Sequence, residues 1–178
     1  MRYSGIIKND ISAAPGICVS FFTQGCPHRC IGCHNPQAWE FDGGKEFTKE
    51  VEQEVLEALT ANGIKRNFCV LGGEPLCPEN LELVDNLIGK VKTTYPELKV
   101  YIWTGYTIEE LEERVKTEEL LKKTLSKVYC LIEGRFIKEK RDITLFMRGS
   151  SNQRIIYLKE GEHGNQDKET EIQYDIAD

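Results

Sequence analysis

Short apolar runs and helical periods alternate along the chain, and that alternation predicts an α/β fold: a parallel sheet joined by right-handed helical crossovers. Two further observations narrow the class. The run Phe68-Cys69-Val70-Leu71 is continuously apolar, as in a strand buried on both faces of a parallel sheet. About four or five strand–helix units fit in the chain, short of the eight that close a full barrel. The expected architecture is therefore an incomplete, open βα barrel or curved sheet of about four to five parallel strands, with helices on the outer face. A length of 178 residues fits one domain, and 40% apolar content is enough for a core. That domain is placed at residues 1–158, followed by a polar, acidic tail at 159–178.

In chain order, Ile6 to Ser12 is expected to form a short edge strand, and Pro15-Gly16 turns the chain into a strand at about Ile17–Thr23. After the turn Asp42-Gly43-Gly44, Thr48 is placed to cap a helix. Phe47, Val51, Val55, Leu56 and Leu59 recur there at helical spacing until Asn62-Gly63 stops it. Phe68–Leu71 is the next strand and leaves through Gly72-Gly73-Glu74-Pro75. A second helix, with Leu81, Val84, Leu87, Ile88 and Val91 on its apolar face, runs to about Thr94. Lys99–Trp103 is a strand that ends in Thr104-Gly105-Tyr106, after which Thr107 and Glu110 form a capping-box pattern. Leu120, Leu121 and Leu125 continue helically before a strand at Val128–Ile132, and Arg154–Leu158 reads as a fifth strand. From Lys159 onward only Ile172, Tyr174 and Ile176 offer anchors, so this stretch reads as a loosely attached tail.

Composition excludes several classes of function. The formal charge is −6, and no Lys/Arg-rich arm interleaved with aromatics appears, which argues against a nucleic-acid partner. No apolar run approaches a membrane span, and the first residues do not begin a signal peptide; a cytoplasmic protein without a membrane partner is expected. Seven cysteines, an odd number, do not form a secreted disulfide framework and indicate a reducing compartment. Cys18, Cys69 and Cys130 fall in expected strands, where a free Cys is usually a small buried apolar residue. Cys77, after a glycine loop, is open to either reading.

The remaining cysteines, Cys26, Cys30 and Cys33, lie within eight residues between Gly25 and His34-Asn35-Pro36. Thiolates are the soft ligands of iron–sulfur clusters and zinc. Three thiolates on a four-iron cluster would leave one iron free to bind a substrate or cosubstrate. The other reading is a structural zinc completed by His34 or His28. With Arg29, His28 and a helix start nearby, depressed thiol pKa values are expected. This loop, Gly72-Gly73-Glu74-Pro75 and Thr104-Gly105-Tyr106 each follow a strand, so all three fall on the rim where ligands of such sheets lie. At the second of them, Gly72 and Gly73 lack a Cβ and let a ligand approach the backbone.

Cys-x3-Cys-x2-Cys after a first strand resembles the signature of the radical S-adenosylmethionine (SAM) superfamily, and Gly-Gly-Glu-Pro resembles its second motif. The resemblance implies a [4Fe-4S] cluster on Cys26, Cys30 and Cys33 and SAM at the open iron. Gly72, Gly73 and Glu74 would then meet the methionine end of SAM, and Gly32, Cys33 and His34 would present backbone to its adenine side. A methyl group added at Gly73 is expected to obstruct SAM without removing the cluster. Trp103-Thr104-Gly105-Tyr106, Glu133-Gly134-Arg135-Phe136, Arg141-Asp142 and Gly149 to Arg154 extend the likeness over about residues 3 to 158. Together they resemble the activating proteins of anaerobic (class III) ribonucleoside-triphosphate reductase, with Glu133 where that family commonly has Asp.

That resemblance implies reductive cleavage of SAM to methionine and a 5′-deoxyadenosyl radical, which takes a hydrogen atom from a glycine of the reductase. The hard chemistry then rests with the cluster and SAM, and no side chain is singled out as catalytic. The implied partners are the reductase, as protein substrate, and a one-electron donor such as flavodoxin or ferredoxin. Activation of another glycyl-radical enzyme of the pyruvate formate-lyase type, radical chemistry on a small metabolite, and a zinc-binding interaction module are the alternatives. Between 133 and 154, six basic side chains (Arg135, Lys138, Lys140, Arg141, Arg148, Arg154) face Glu133, Glu139 and Asp142, a net of +3. The stretch is either a docking surface for the reductase or a solvated loop.

Overall fold

The computed structural model describes residues 1–158 and 174–176. Among these the strands are β1 (Arg2–Asp10), β2 (Cys18–Thr23), β3 (Lys45–Glu46), β4 (Asn67–Gly72), β5 (Val100–Thr104), β6 (Cys130–Glu133), β7 (Arg154–Leu158) and β8 (Tyr174–Ile176). The helices are α1 (Lys49–Ala58), α2 (Pro78–Thr94), α3 (Ile108–Val115) and α4 (Glu119–Leu125). All eight strands form one open sheet in the order β3-β1-β2-β4-β5-β6-β7-β8. Its centre, β2-β4-β5-β6, is parallel, as the alternation of elements requires. The fold is α/β.

Successive strand residues point to opposite faces, and here the two faces are covered differently. Val19, Phe21, Phe68, Val70, Val100, Ile102 and Leu131 pack with Val55, Leu59, Leu87, Ile88, Leu111 and Leu121 from the helices. Each large side chain buried there contributes about 1.5–3 kcal/mol. The intervening residues Cys18, Cys69, Tyr101, Cys130 and Ile132 cluster with Ala14 and Ile155, and Ala13 and Met147 pack against them without any helix residue. The helices thus lie on one face, and the small thiols line the other.

Both helix caps read from the sequence form. Thr48 Oγ1 accepts from the Val51 amide at 3.4 Å. Thr107 Oγ1 accepts from the Glu110 amide at 3.3 Å while the Glu110 carboxylate takes the Thr107 amide at 2.8 Å. Thr107→Ala strands one of those donors and is expected to cost about 1 kcal/mol, measured by denaturant unfolding, with unchanged helix content in the folded state.

Two expectations are corrected. The first strand is longer, begins earlier and is not an edge: β1 pairs with β2 on one side and β3 on the other. It ends where the Asp10 carboxylate accepts the Ser12 amide and hydroxyl and the Ala13 amide, a side-chain turn that halts pairing before Ser12. The fifth strand is antiparallel. Between β6 and β7 the chain makes a short 3-10 turn at Lys138–Lys140 and an isolated bridge Arg141↔Ser150. With no helical crossover there, β7 returns against β6. Tyr174 and Ile176 sit in β8, opposite Leu158 and Ile156; the rest of the expected tail, Ile172 included, lies outside the described residues.

Candidate metal and cofactor site

The cysteine loop leaves the carboxyl end of β2 and folds back on itself. The Gly25 amide donates to the Ala38 carbonyl at 2.9 Å and the Cys26 amide to the Trp39 carbonyl at 3.0 Å. Gly25, Arg29 and Gly32 all have positive φ, so the chain winds tightly between the thiols. A Cβ on Gly25 would overlap the Phe41 ring, and for that reason only glycine serves there. Cys26, Cys30 and Cys33 are each partly exposed. The Arg29 guanidinium turns outward to Glu40 at 2.8 Å, and His34 is exposed.

Cys26 and Cys30 are not acidified as expected. Burial pushes both Cys26 and Cys30 up. The amides of His28 and Arg29 at Cys26, and the Phe136 amide with Arg135 at Cys30, pull the other way without overcoming it. The physical reason is burial, with Arg29 turned away to pair with Glu40. Cys18, Cys69 and Cys130 are fully buried, as read from the sequence, and so is Cys77. Burial pushes Cys77 and Cys130 up to about 12, which keeps them neutral thiols of the core.

Gly-Gly-Glu-Pro docks directly on this loop. The Gly73 amide donates to the Thr23 carbonyl at 2.9 Å and the Glu74 amide to the Gly25 carbonyl at 2.8 Å. A Cβ on Gly73 would overlap the Gly25 carbonyl oxygen, and one on Gly72 would press on Phe22. Gly73 therefore serves the contact between the two loops, so a methyl there meets the backbone of the cysteine loop itself. Glu74 is turned inward, where Leu76, Thr104, Gly105 and His28 all meet its carboxylate.

The structure thus joins the cysteine loop, the glycine turn and the loop after β5 on one rim. The Trp103 indole reaches the Met147 carbonyl at 2.8 Å, and Gly32 faces the stem of Lys138. Asn80 had no local signal in the sequence, and the role of Thr104 and Gly105 toward Glu74 had none either. Asn80, in the first turn of α2, donates to the Gly25 and Glu74 carbonyls at 3.2 and 2.9 Å; Thr104 and the Gly105 amide hold Glu74. His34 makes no contact with the glycine turn among the described hydrogen bonds.

A family model described as a 4Fe-4S single cluster domain matches residues 13–156, a span that contains all three rim loops. The chain is 36% identical over 156 residues to the anaerobic ribonucleoside-triphosphate reductase-activating protein of Vibrio cholerae serotype O1, covering 87% of this chain and 97% of that protein. It is 32% identical to the protein of the same name from Escherichia coli (strain K12), covering 89% and 100%. It is 36% identical to that of Enterobacteria phage T4, covering 87% and 93%. The chain belongs to the family of anaerobic ribonucleoside-triphosphate reductase-activating proteins.

The family's iron–sulfur cluster fits the cysteine loop by donor chemistry. All three side chains are soft sulfur ligands, and the Cys33 sulfur accepts from the Asn35 amide at 3.4 Å. Amides aimed at sulfur stabilise thiolate in iron–sulfur sites and tune the cluster.

Proposed function

We propose that this chain activates an anaerobic ribonucleoside-triphosphate reductase by radical chemistry on SAM, on an open βα barrel of the radical SAM type. The observation that carries the reading is a loop with three thiols locked onto a glycine turn, through Gly73 N to Thr23 O and Glu74 N to Gly25 O. Cys26, Cys30 and Cys33 would hold a four-iron cluster, which when bound would supply the electron for reductive cleavage of SAM and so for radical formation on a glycine of the reductase. Gly72 and Gly73 keep the second loop bare of side chains beside the methionine end, and Gly32, Cys33 and His34 offer backbone to the adenine side. The electron comes from a donor of the flavodoxin or ferredoxin kind. Nothing long and apolar enough to cross a membrane occurs among the helices of the described residues.

A zinc module needs a fourth ligand. The His28 ring is committed to Glu74 at 3.0 Å, which leaves only the exposed His34 of the two histidines considered for that role. After anaerobic purification the chain should carry about four iron and four sulfide. With reductant it should convert SAM to methionine and 5′-deoxyadenosine and raise a glycyl-radical signal on the reductase. One zinc per chain and no SAM cleavage would overturn the proposal.

Docking of the reductase falls on a smaller basic surface than the sequence count implies. Arg135 pairs with Glu110 and Arg154 with Glu109, carboxylates that helix α3 brings in from outside the stretch, and Arg154 also pairs with Glu133 at the end of β6. Lys138, Lys140 and Arg141 stay exposed beside the cysteine loop, with Ile143 and Phe146 exposed nearby. Reversing Lys138 and Lys140 to Glu should slow association with the reductase about tenfold at low salt, less as salt rises, and leave SAM cleavage without the partner intact. Wild-type association across a salt series would remove this stretch as the docking surface.

A further inference from the structure

We infer that His28 and Glu74 form a buried clamp that sets the cysteine loop against the glycine turn, making His28 a positioning residue for the cluster and SAM and not a metal ligand. The inference rests on the radical SAM reading above, but its geometry does not. Glu74 is 1% exposed and His28 6% at the side chain. One carboxylate oxygen, Oε1, accepts from the Leu76 amide at 2.9 Å and the Thr104 hydroxyl at 2.7 Å. The other, Oε2, accepts from the Gly105 amide at 2.6 Å and faces His28 Nε2 at 3.0 Å. Four donors fill the four acceptor positions of a carboxylate. None remains for a ligand, although Gly-Gly-Glu-Pro sits where one is expected.

His28 is the single side chain between the first two thiols that reaches inward, two residues from Cys26 and two from Cys30. Its ring lies edge-on to Tyr106 at 4.7 Å, and Tyr106 in turn lies under the Arg114 guanidinium at 4.5 Å. Gly105 has no side chain at the place this ring fills; a Cβ there would overlap it. The contact spans 46 residues to Glu74. A short loop with left-handed residues at Arg29 and Gly32 has several ways to lie when its only ties are its own backbone. The clamp selects one of them and pays the ordering entropy at folding, ahead of cofactor binding. The same carboxylate holds the glycine turn through Leu76 N, so the cysteine loop and the backbone proposed to meet SAM share one anchor.

Amide exchange on the full-length, metal-free protein tests the clamp without any cofactor. The Gly105 and Leu76 amides should be protected in wild type, and Gly105 should exchange several-fold faster in His28→Leu, which keeps bulk but has no donor. In cluster-loaded protein, His28→Leu should keep its iron but lose about tenfold or more in SAM affinity and show a weakened SAM-induced change in the cluster's electron paramagnetic resonance signal. His28→Gln, which returns an N–H at similar reach, should restore most of both. Three results overturn the clamp: free exchange of the wild-type Gly105 amide, wild-type SAM affinity in His28→Leu, or His28→Gln failing as badly as His28→Leu. The first needs no variant, so a folding defect in His28→Leu leaves the test standing. A wild type that never cleaves SAM would sink the functional reading, while Gly105 protection would still report on the clamp.

Discussion

Cys26→Ala, Cys30→Ala and Cys33→Ala should each abolish the brown iron–sulfur absorbance and, with it, SAM cleavage. Cys18, Cys69, Cys77 and Cys130 should each be replaceable by Ala with the absorbance intact. The division follows from placement. The first three residues sit partly exposed on the rim, whereas the other four are fully buried. The Cys77 thiol is further occupied in donating to the Glu74 carbonyl at 3.1 Å. Cys130→Ala should cost about 1 kcal/mol in unfolding free energy, the size of a small core truncation. Iron and sulfide analysis beside the visible spectrum checks the set, and full cluster content in Cys30→Ala would remove the assignment.

Gly73→Val should lose cluster and SAM binding together. The added Cβ overlaps the carbonyl oxygen of Gly25, backbone that cannot rotate away as a flexible side chain would. One residue before the first thiol, that carbonyl also accepts from the Glu74 amide and from Asn80. Forcing the two loops apart breaks both bonds, and overpacking of this kind costs about 1–3 kcal/mol before the lost hydrogen bonds are added. Calorimetry for SAM and iron content for the cluster, measured on the same preparation, separate the outcomes. Full iron with absent SAM binding would mean that the loops tolerate the side chain and that Gly73 matters to the cosubstrate alone.

What was legible in the sequence was local. The Thr48 and Thr107 caps, the strand cores and the burial of Cys18, Cys69 and Cys130 depend on neighbours a few residues away, and all are found. The direction of β7 was not legible, because Arg154–Leu158 reads the same whichever way it pairs; its orientation is set by the non-helical path through residues 134–153. The partners of Glu74 were not legible for a related reason. Its position in Gly-Gly-Glu-Pro marks a ligand turn, yet its partners His28 and Gly105 lie 46 and 31 residues away, and no spacing rule connects them. The thiol pKa values failed on burial, which a loop read as sequence does not display.

Strand β3 has a consequence for how this protein meets other chains. It closes one side of the sheet with two residues, Lys45 and Glu46, both exposed and opposite in charge. An incoming strand would find two rungs of backbone to pair with and hydrated charges in place of an apolar ledge, the kind of blunted border that discourages edge-to-edge aggregation. Recruitment of a partner by strand addition is therefore unfavourable along this border. A chain that meets this border has to be held by side chains, which leaves its own backbone unpaired.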